Sequence, residues 1–483
     1  MTSPSRRWPL LVAVLLLLLL VPVAVLVISG GAGGGDTGAN ADTPLPSEEP
    51  PSEEPPSEEP PSDEPPSDET SAAIDGPSSS AGPGTSPTSG PSGSPEATGP
   101  AATLSPELAA QVAQIEQQVV GLRELQPRAE VPKRVLDEAS FVAELARQFR
   151  RDNPAERLAA QTRAYQRLGY LPEETELETV VLDLLGSAVA GFYEPDTDRL
   201  AIVQRGDRFG PLEQTTVAHE FTHALQDQHF DLDSLELDDI TEGDRGLGRL
   251  ALVEGDATLV MNEWSGGNLT REELREMLIQ SSDPEQFEVL ARTPPILVRQ
   301  LTFPYLDGLN LVSQIRERGG WAAVDKAFDS PPASTEQVLH PEKYFKQEAP
   351  VVVEVPASLP DVLGEGWRES LTDTLGELNL NVWMAQENGP SASRDASEGW
   401  GGDRFAMYEG PDDAWAIVWS TAWDSAADAS EFAAAAERVE TDPGGDGLVL
   451  AGGDRATVLL ASNDAVLEAL RQAARLSQSR ESP

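Results

Sequence analysis

The chain of 483 residues is too long for one ordinary core, so we expect two folded domains together with unstructured sequence. Its formal charge of −48, from 34 basic and 82 acidic residues, argues against nucleic acid as a partner because phosphates would be repelled. The lack of cysteine excludes disulfides, thiol nucleophiles and cysteine-based zinc fingers.

The amino terminus carries an apolar run. Arg6 and Arg7 precede the uncharged residues 8–28, and a membrane-spanning helix takes about 20 such residues. Because basic flanks stay in the cytoplasm, we predict that residues 1–29 form an uncleaved transmembrane signal-anchor. The protein would be a single-pass protein of the cell membrane with its folded part extracytoplasmic. A cleaved signal peptide, ending near residues 39–41, is the alternative.

Residues 30–105 form a low-complexity segment rich in proline, serine and glutamate. Proline favours extended geometry and the like charges repel one another, so a stiffened, disordered linker is predicted. The segment has too little apolar surface to offset the entropy of folding.

The low-complexity composition ends at Ser105, which is a candidate N-cap for a helix whose first position is Pro106. Apolar spacing predicts further elements up to residue 349. The predicted helices are 106–125, 133–150, 154–168, 175–190, 212–228, 247–264, 309–319 and 320–328. The predicted strands are 191–194 and 199–203.

A hinge at residues 350–360 would lead into a second domain, 350–483. Its predicted helices are 370–385, 427–439 and 464–476, and its predicted strands are 404–408, 414–419 and two within 448–461. This alternation favours a small α+β sandwich. The predicted fold class is therefore α+β, a mainly helical domain (106–349) followed by this sandwich.

One motif has the residues of a metal-binding catalytic site. His219-Glu220-Phe221-Thr222-His223 lies within a predicted helix. Residues four apart share a helix face, so both imidazoles can bind one metal ion, with Glu220 beside them as a general base. Imidazole and carboxylate ligands suit a tetrahedral zinc site, so we predict one Zn²⁺ per chain.

A catalytic zinc needs a third protein ligand. Glu254 stands in an apolar helical stretch, where a carboxylate is costly unless it is paired or metal-bound. Glu254 is therefore the predicted third ligand. The alternative is a salt bridge from Glu254 to Arg245 or Arg249.

These residues resemble those of the gluzincins, a branch of the HExxH zinc metallopeptidases. The segments GFYEP, HEFTHALQDQHFD, LVEGDA and PPASTEQVLHPEKY are similar to those of a family of uncharacterised, extracytoplasmic metallopeptidases. The resemblance covers 104–344 and implies a zincin-like fold with His219, His223 and Glu254 on zinc and Glu220 as base. It also implies that the strands around 191–203 bind extended peptide.

One position departs from the thermolysin-like pattern. Those enzymes place an aspartate four residues after the ligand glutamate, where it orients the first histidine, and this chain has Thr258 there. The nearest acid is Asp256, and Asp227 is another candidate. Support for the histidines from outside the ligand set is therefore open.

Peptide hydrolysis also needs a hydrogen-bond donor for the developing oxyanion. The candidates in this domain are His340, Tyr344 and Tyr305, with His340 preferred and Tyr344 next. His340 lies in a polar loop after paired prolines, whereas His229 is off the zinc face of the helix.

The sequence thus predicts a membrane-anchored metalloprotease, a hydrolase that cleaves peptide or protein substrates with zinc-activated water and Glu220 as base. One alternative is a non-catalytic surface binding protein built on a zincin scaffold. Another is a zinc hydrolase that acts on a non-peptide amide.

Overall fold

The protein is described here by a computed structural model. The described residues are 104–188, 191–194, 197–203, 209–281, 284–439 and 445–481. The apolar run 8–28 lies outside them, as does the predicted linker except for its last two residues.

The predicted membrane anchor and cell-membrane location are contradicted. Within the described part of the chain, no helix is both long and apolar enough to cross a membrane. The longest helices there carry several charged side chains, which are costly in hydrocarbon.

The mixed α+β class is confirmed, with a mainly helical part followed by a larger sheet. The helices of the first part are α1 (Pro106–Arg123), α2 (Glu138–Asp152), α3 (Ala155–Arg167), α4 (Leu177–Ala188), α5 (Pro211–Phe230), α6 (Gly243–Asn268), α7 (Arg271–Gln280), α8 (Pro284–Arg292), α9 (Pro295–Asp329), α10 (Thr335–Leu339) and α11 (Pro341–Lys346). Ser105 caps α1 as predicted, because its side chain accepts a hydrogen bond from the backbone N–H of Leu108.

A three-stranded sheet lies within this helical part. Its strands β1 (Lys133–Leu136), β2 (Gly191–Glu194) and β3 (Arg199–Val203) have the order β1-β3-β2, with β1 parallel and β2 antiparallel to β3. The predicted helix 133–150 is therefore wrong at its start. Asp137 caps the later helix α2 by accepting from Ser140 N–H, which leaves the preceding residues free to pair with β3.

Helices α6 and α9 cross at two glycines. A Cβ on Gly255 would meet the carbonyl oxygen of Gly308 at 2.3 Å, and a Cβ on Gly308 would meet that of Ala251 at 2.1 Å. The predicted helices 309–319 and 320–328 belong to one longer helix, α9. It has a kink at Gly319 and Gly320, where Gly320 has a φ of 65°.

The carboxy-terminal part is built on a five-stranded antiparallel sheet of order β4-β5-β6-β8-β7. Its elements are α12 (Leu359–Leu363), β4 (Arg368–Asp373), α13 (Gly376–Asn388), α14 (Pro390–Ser397), β5 (Trp400–Glu409), β6 (Trp415–Trp423), α15 (Ala426–Ala436), β7 (Asp446–Gly452), β8 (Arg455–Ala461) and α16 (Asp464–Glu481). The predicted helix 370–385 is wrong at its start, because β4 pairs with β5 and Gly376, at a φ of 79°, begins the helix only afterwards.

The apolar core is continuous across the predicted hinge at 350–360. One cluster of buried residues contains Phe141 and Tyr305 from the helical part and Trp383 and Trp419 from the carboxy-terminal part. The second face of the large sheet packs against α12 and α16. Helix α5 lies in a separate cluster with α1, α6 and α9, and this packing positions the candidate site.

Candidate metal centre

Helix α5 presents both histidines of the motif to one point. Gly210 precedes the helix, and its N–H donates to Glu213, three residues into the first turn. His219 and His223 are four residues apart and both buried, with Nε2 atoms 2.9 Å from each other. Helical spacing thus brings the two rings together as expected.

Helix α6 supplies the third group. The Oε2 atom of Glu254, a residue with 0% exposure, lies 3.1 Å from Nε2 of His219 and 3.5 Å from Nε2 of His223. The salt bridge considered as an alternative does not form. Arg245 donates to Asp239, and Arg249 donates to the backbone oxygen of Leu235.

This donor set fits zinc. Bonds of about 2.0–2.1 Å in a tetrahedral complex place neighbouring ligand atoms roughly 3.3 Å apart, close to the separations among these three atoms. Two imidazole nitrogens that face each other in a buried site repel unless a proton or a metal ion lies between them. The side chains therefore have the chemistry and spacing to hold one divalent cation.

The charges at the centre support this assignment. Burial raises the pKa of Glu254, but the two imidazoles outweigh burial and lower it overall. Burial lowers the pKa of His219. Burial also opposes the charge on His223, yet the carboxylates of Glu254 and Glu220 raise its pKa to about 9.

Glu220 is held by strand β2. Its Oε2 atom accepts a hydrogen bond of 2.7 Å from the backbone N–H of Tyr193. Burial, with a further contribution from Glu254, raises the pKa of Glu220 to about 8, although His223 and the Tyr193 N–H lower it. The Tyr193 hydroxyl also donates a hydrogen bond of 3.0 Å to Asp227, and this bond connects β2 with α5.

Tyr305 of α9 is the aromatic residue at the centre. Its ring stacks on that of His219, with centroids 6.1 Å apart, and its phenol is near enough to the Glu254 carboxylate for that charge to raise its pKa. Burial and the charges of Glu254 and Glu220 raise its pKa well above the ordinary value, so the phenol remains a donor at neutral pH. Sequence reasoning ranked this residue below His340 and Tyr344.

The other predicted residues have partners elsewhere. His340 lies 2.9 Å from Glu377 through its Nε2 atom, and the Tyr344 hydroxyl donates to the Ser330 backbone oxygen at 3.1 Å. His229 lies 2.7 Å from the Gln126 backbone oxygen, away from the zinc face as expected.

Sequence reasoning missed Gln226. Its Oε1 atom lies 2.8 Å from Nδ1 of His223, on the side of that ring away from the centre. The signal that could have identified it is its spacing, three residues after His223 on the same helix.

The comparisons with known proteins concern only the carboxy-terminal part. Residues 363–478 match a family described as a domain of unknown function, DUF8575. No curated protein and no solved structure matches the chain.

Proposed function

We propose that this protein is a zinc-dependent peptidase with His219, His223 and Glu254 as metal ligands and Glu220 as general base. The observation that carries the proposal is the convergence of two imidazoles and the Glu254 carboxylate at one buried point, with a second buried carboxylate, that of Glu220, next to His219 in the chain. Such groups are costly to bury without a function or a full set of partners.

A zinc ion held there would polarise a substrate carbonyl and acidify a water molecule. Glu220, held by the Tyr193 N–H, takes the proton from water and returns it to the leaving amine. The Tyr305 phenol donates a hydrogen bond to the oxyanion as negative charge develops, in place of His340 or Tyr344.

The position of β2 suggests how a substrate binds. In the described sheet, β2 is an edge strand, and the outward N–H of Tyr193 already reaches the general base. An extended peptide laid along such an edge would bring its backbone carbonyls close to Glu220.

The test compares Glu220→Gln with Glu213→Gln. Both residues are buried glutamates of α5, but Glu213 serves only the helix start. Zinc content and cleavage of a peptide library are measured for each. We expect Glu220→Gln to retain zinc and lose about 100- to 10,000-fold in turnover, because general-base catalysis contributes that much. Glu213→Gln should retain both.

Unchanged turnover in Glu220→Gln would contradict the mechanism. Stoichiometric zinc without cleavage of any peptide would favour a binding protein or a hydrolase of a non-peptide amide.

A further inference from the structure

A chain of hydrogen bonds extends from His223 away from the ligand atoms. Gln226 accepts from Nδ1 of that ring through Oε1, at 2.8 Å. Its Nε2 atom donates to the backbone oxygen of Val253 and to Oδ2 of Asp256, both at 2.9 Å. Both partners of Nε2 are acceptors only, so the orientation of this amide is determined by its neighbours.

The fixed amide determines the tautomer of the imidazole. An amide oxygen cannot donate, so Nδ1 of His223 must carry the proton. In the neutral ring Nε2 is then unprotonated, and its lone pair points toward His219 and Glu254. The bond to Val253 also joins α5 to α6 at the residue next to Glu254.

Asp256 is held in turn by a residue far away in the chain. The Nε atom of Arg123, the last residue of α1, donates to both carboxylate oxygens of Asp256, at 2.8 and 3.1 Å, and both side chains are fully buried. A second guanidinium nitrogen lies 2.7 Å from Asp325. The guanidinium carbon is 4.5 Å from the centroid of the Trp321 ring. Asp256 is thus held by two hydrogen bonds from Nε of Arg123, and the guanidinium is itself placed by the Trp321 ring and by the charge of Asp325.

We propose that Gln226, Asp256 and Arg123 form a positioning array that holds His223 in its metal-binding tautomer and makes α1 a part of the metal centre. The proposal rests on the proposed function in that these ligands bind zinc. The array acts on one histidine only. Nδ1 of His219 is buried and has no hydrogen-bond partner among the described residues.

The array is tested by measuring the zinc affinity of the full chain in competition with a chromophoric chelator. Gln226→Met keeps the size of the side chain and removes the amide, and we expect zinc to bind about 10- to 100-fold more weakly, the usual effect of losing such support. Gln228→Met is the matched control, because Gln228 lies on the same helix and its Oε1 atom accepts from the backbone N–H of Arg128 instead.

A double-variant cycle separates positioning from a general structural effect. Asp256→Asn lets the Gln226 amide reverse, so it should weaken zinc binding in the wild-type background. It should add nothing in the Gln226→Met background, because Asp256 acts through Gln226. The visible absorption of bound Co²⁺ should shift in Gln226→Met and not in Gln228→Met.

Each outcome decides between the proposals. Wild-type chain that binds no zinc would overturn the metal centre and the array together. Wild-type chain that binds zinc, with Gln226→Met equal to it in zinc affinity and Co²⁺ spectrum, would overturn the array alone. Additive losses in the cycle would also overturn it.

Discussion

The fold contains two groups of buried carboxylates that differ in the partners around them. The metal centre places Glu254 against two imidazoles. The second group, here called the junction cluster, comprises Asp244 of α6 and Asp403 of β5. Asp244 accepts from the N–H and hydroxyl of Thr335, whereas Asp403 accepts from backbone N–H groups and an indole.

The comparison shows that the groups around a buried carboxylate, and not burial alone, determine the direction in which its pKa shifts. Burial raises the pKa of Asp244 well above its ordinary value and that of Asp403 to about 6, in spite of the donors around them. Glu254 is buried as deeply, yet its pKa is lowered overall by the imidazoles. At Glu254 the imidazoles thus outweigh desolvation, whereas the neutral donors around Asp244 and Asp403 do not.

The largest expected difference concerns zinc. Glu254→Gln removes a charged ligand and should weaken zinc binding by more than the about 10- to 100-fold that loss of a supporting hydrogen bond costs. Asp244→Asn, on the same helix and equally buried, should leave zinc affinity unchanged. Chelator competition measures both, and equal losses in the two variants would remove the distinction drawn here.

Two buried phenols extend the comparison to catalysis. Tyr305→Phe removes the proposed oxyanion donor, so kcat should fall about 100- to 1,000-fold with zinc retained. Tyr170→Phe removes a phenol that donates to the Asn379 backbone oxygen near the junction cluster, and kcat should not change. Peptide cleavage measures both. A fall in Tyr344→Phe, with none in Tyr305→Phe, would transfer the role to Tyr344.

The junction cluster should affect stability alone. A Cβ on Gly376 would meet Oδ1 of Asp244 at 1.7 Å, and the residue has a positive φ. Gly376→Ala should therefore lower the free energy of unfolding by about 3 kcal/mol and leave zinc affinity unchanged. Gly453→Ala also has a positive φ but open space around it, so it should cost only about 1 kcal/mol. Urea unfolding gives both values, and equal costs would mean that the close contact is relieved easily.

The smallest expected effect is a pH dependence. The folded chain keeps the proton of Asp403 up to about pH 6, whereas the unfolded chain releases it near pH 4. The contribution of this group to stability is therefore present below pH 4 and is lost as pH rises toward 6. The free energy of unfolding should therefore fall by about 2–3 kcal/mol less over this pH range in Asp403→Asn than in the unchanged protein. Urea unfolding between pH 4 and 7 checks this, and parallel curves for the two proteins would contradict it.

Local patterns sufficed for much of the fold and for part of the site. The spacing of His219 and His223 is a helical property, and Glu254 stands out as an acid in an apolar helix. The local pattern predicts helix within β1 and β4, because the partners of these strands are distant in the chain and no local period indicates such pairing.

The support around the site was hidden for a similar reason. Arg123 ends an amphipathic helix, where an arginine is normally solvated, and only tertiary packing shows that it is buried against Asp256. The sequence also does not show which helices cross, so it does not indicate that the Tyr305 ring stacks on His219.

The crossing of α6 and α9 at Gly255 and Gly308 has a consequence for catalysis. Glu254 directly precedes the first glycine, and Tyr305 is one helical turn before the second. The two backbones touch there, so main-chain contact sets the separation of the helices that carry Glu254 and Tyr305. An added methyl group on either glycine would push the two helices apart and move the phenol away from the carboxylate, which lowers the rate although neither Tyr305 nor Glu254 is replaced.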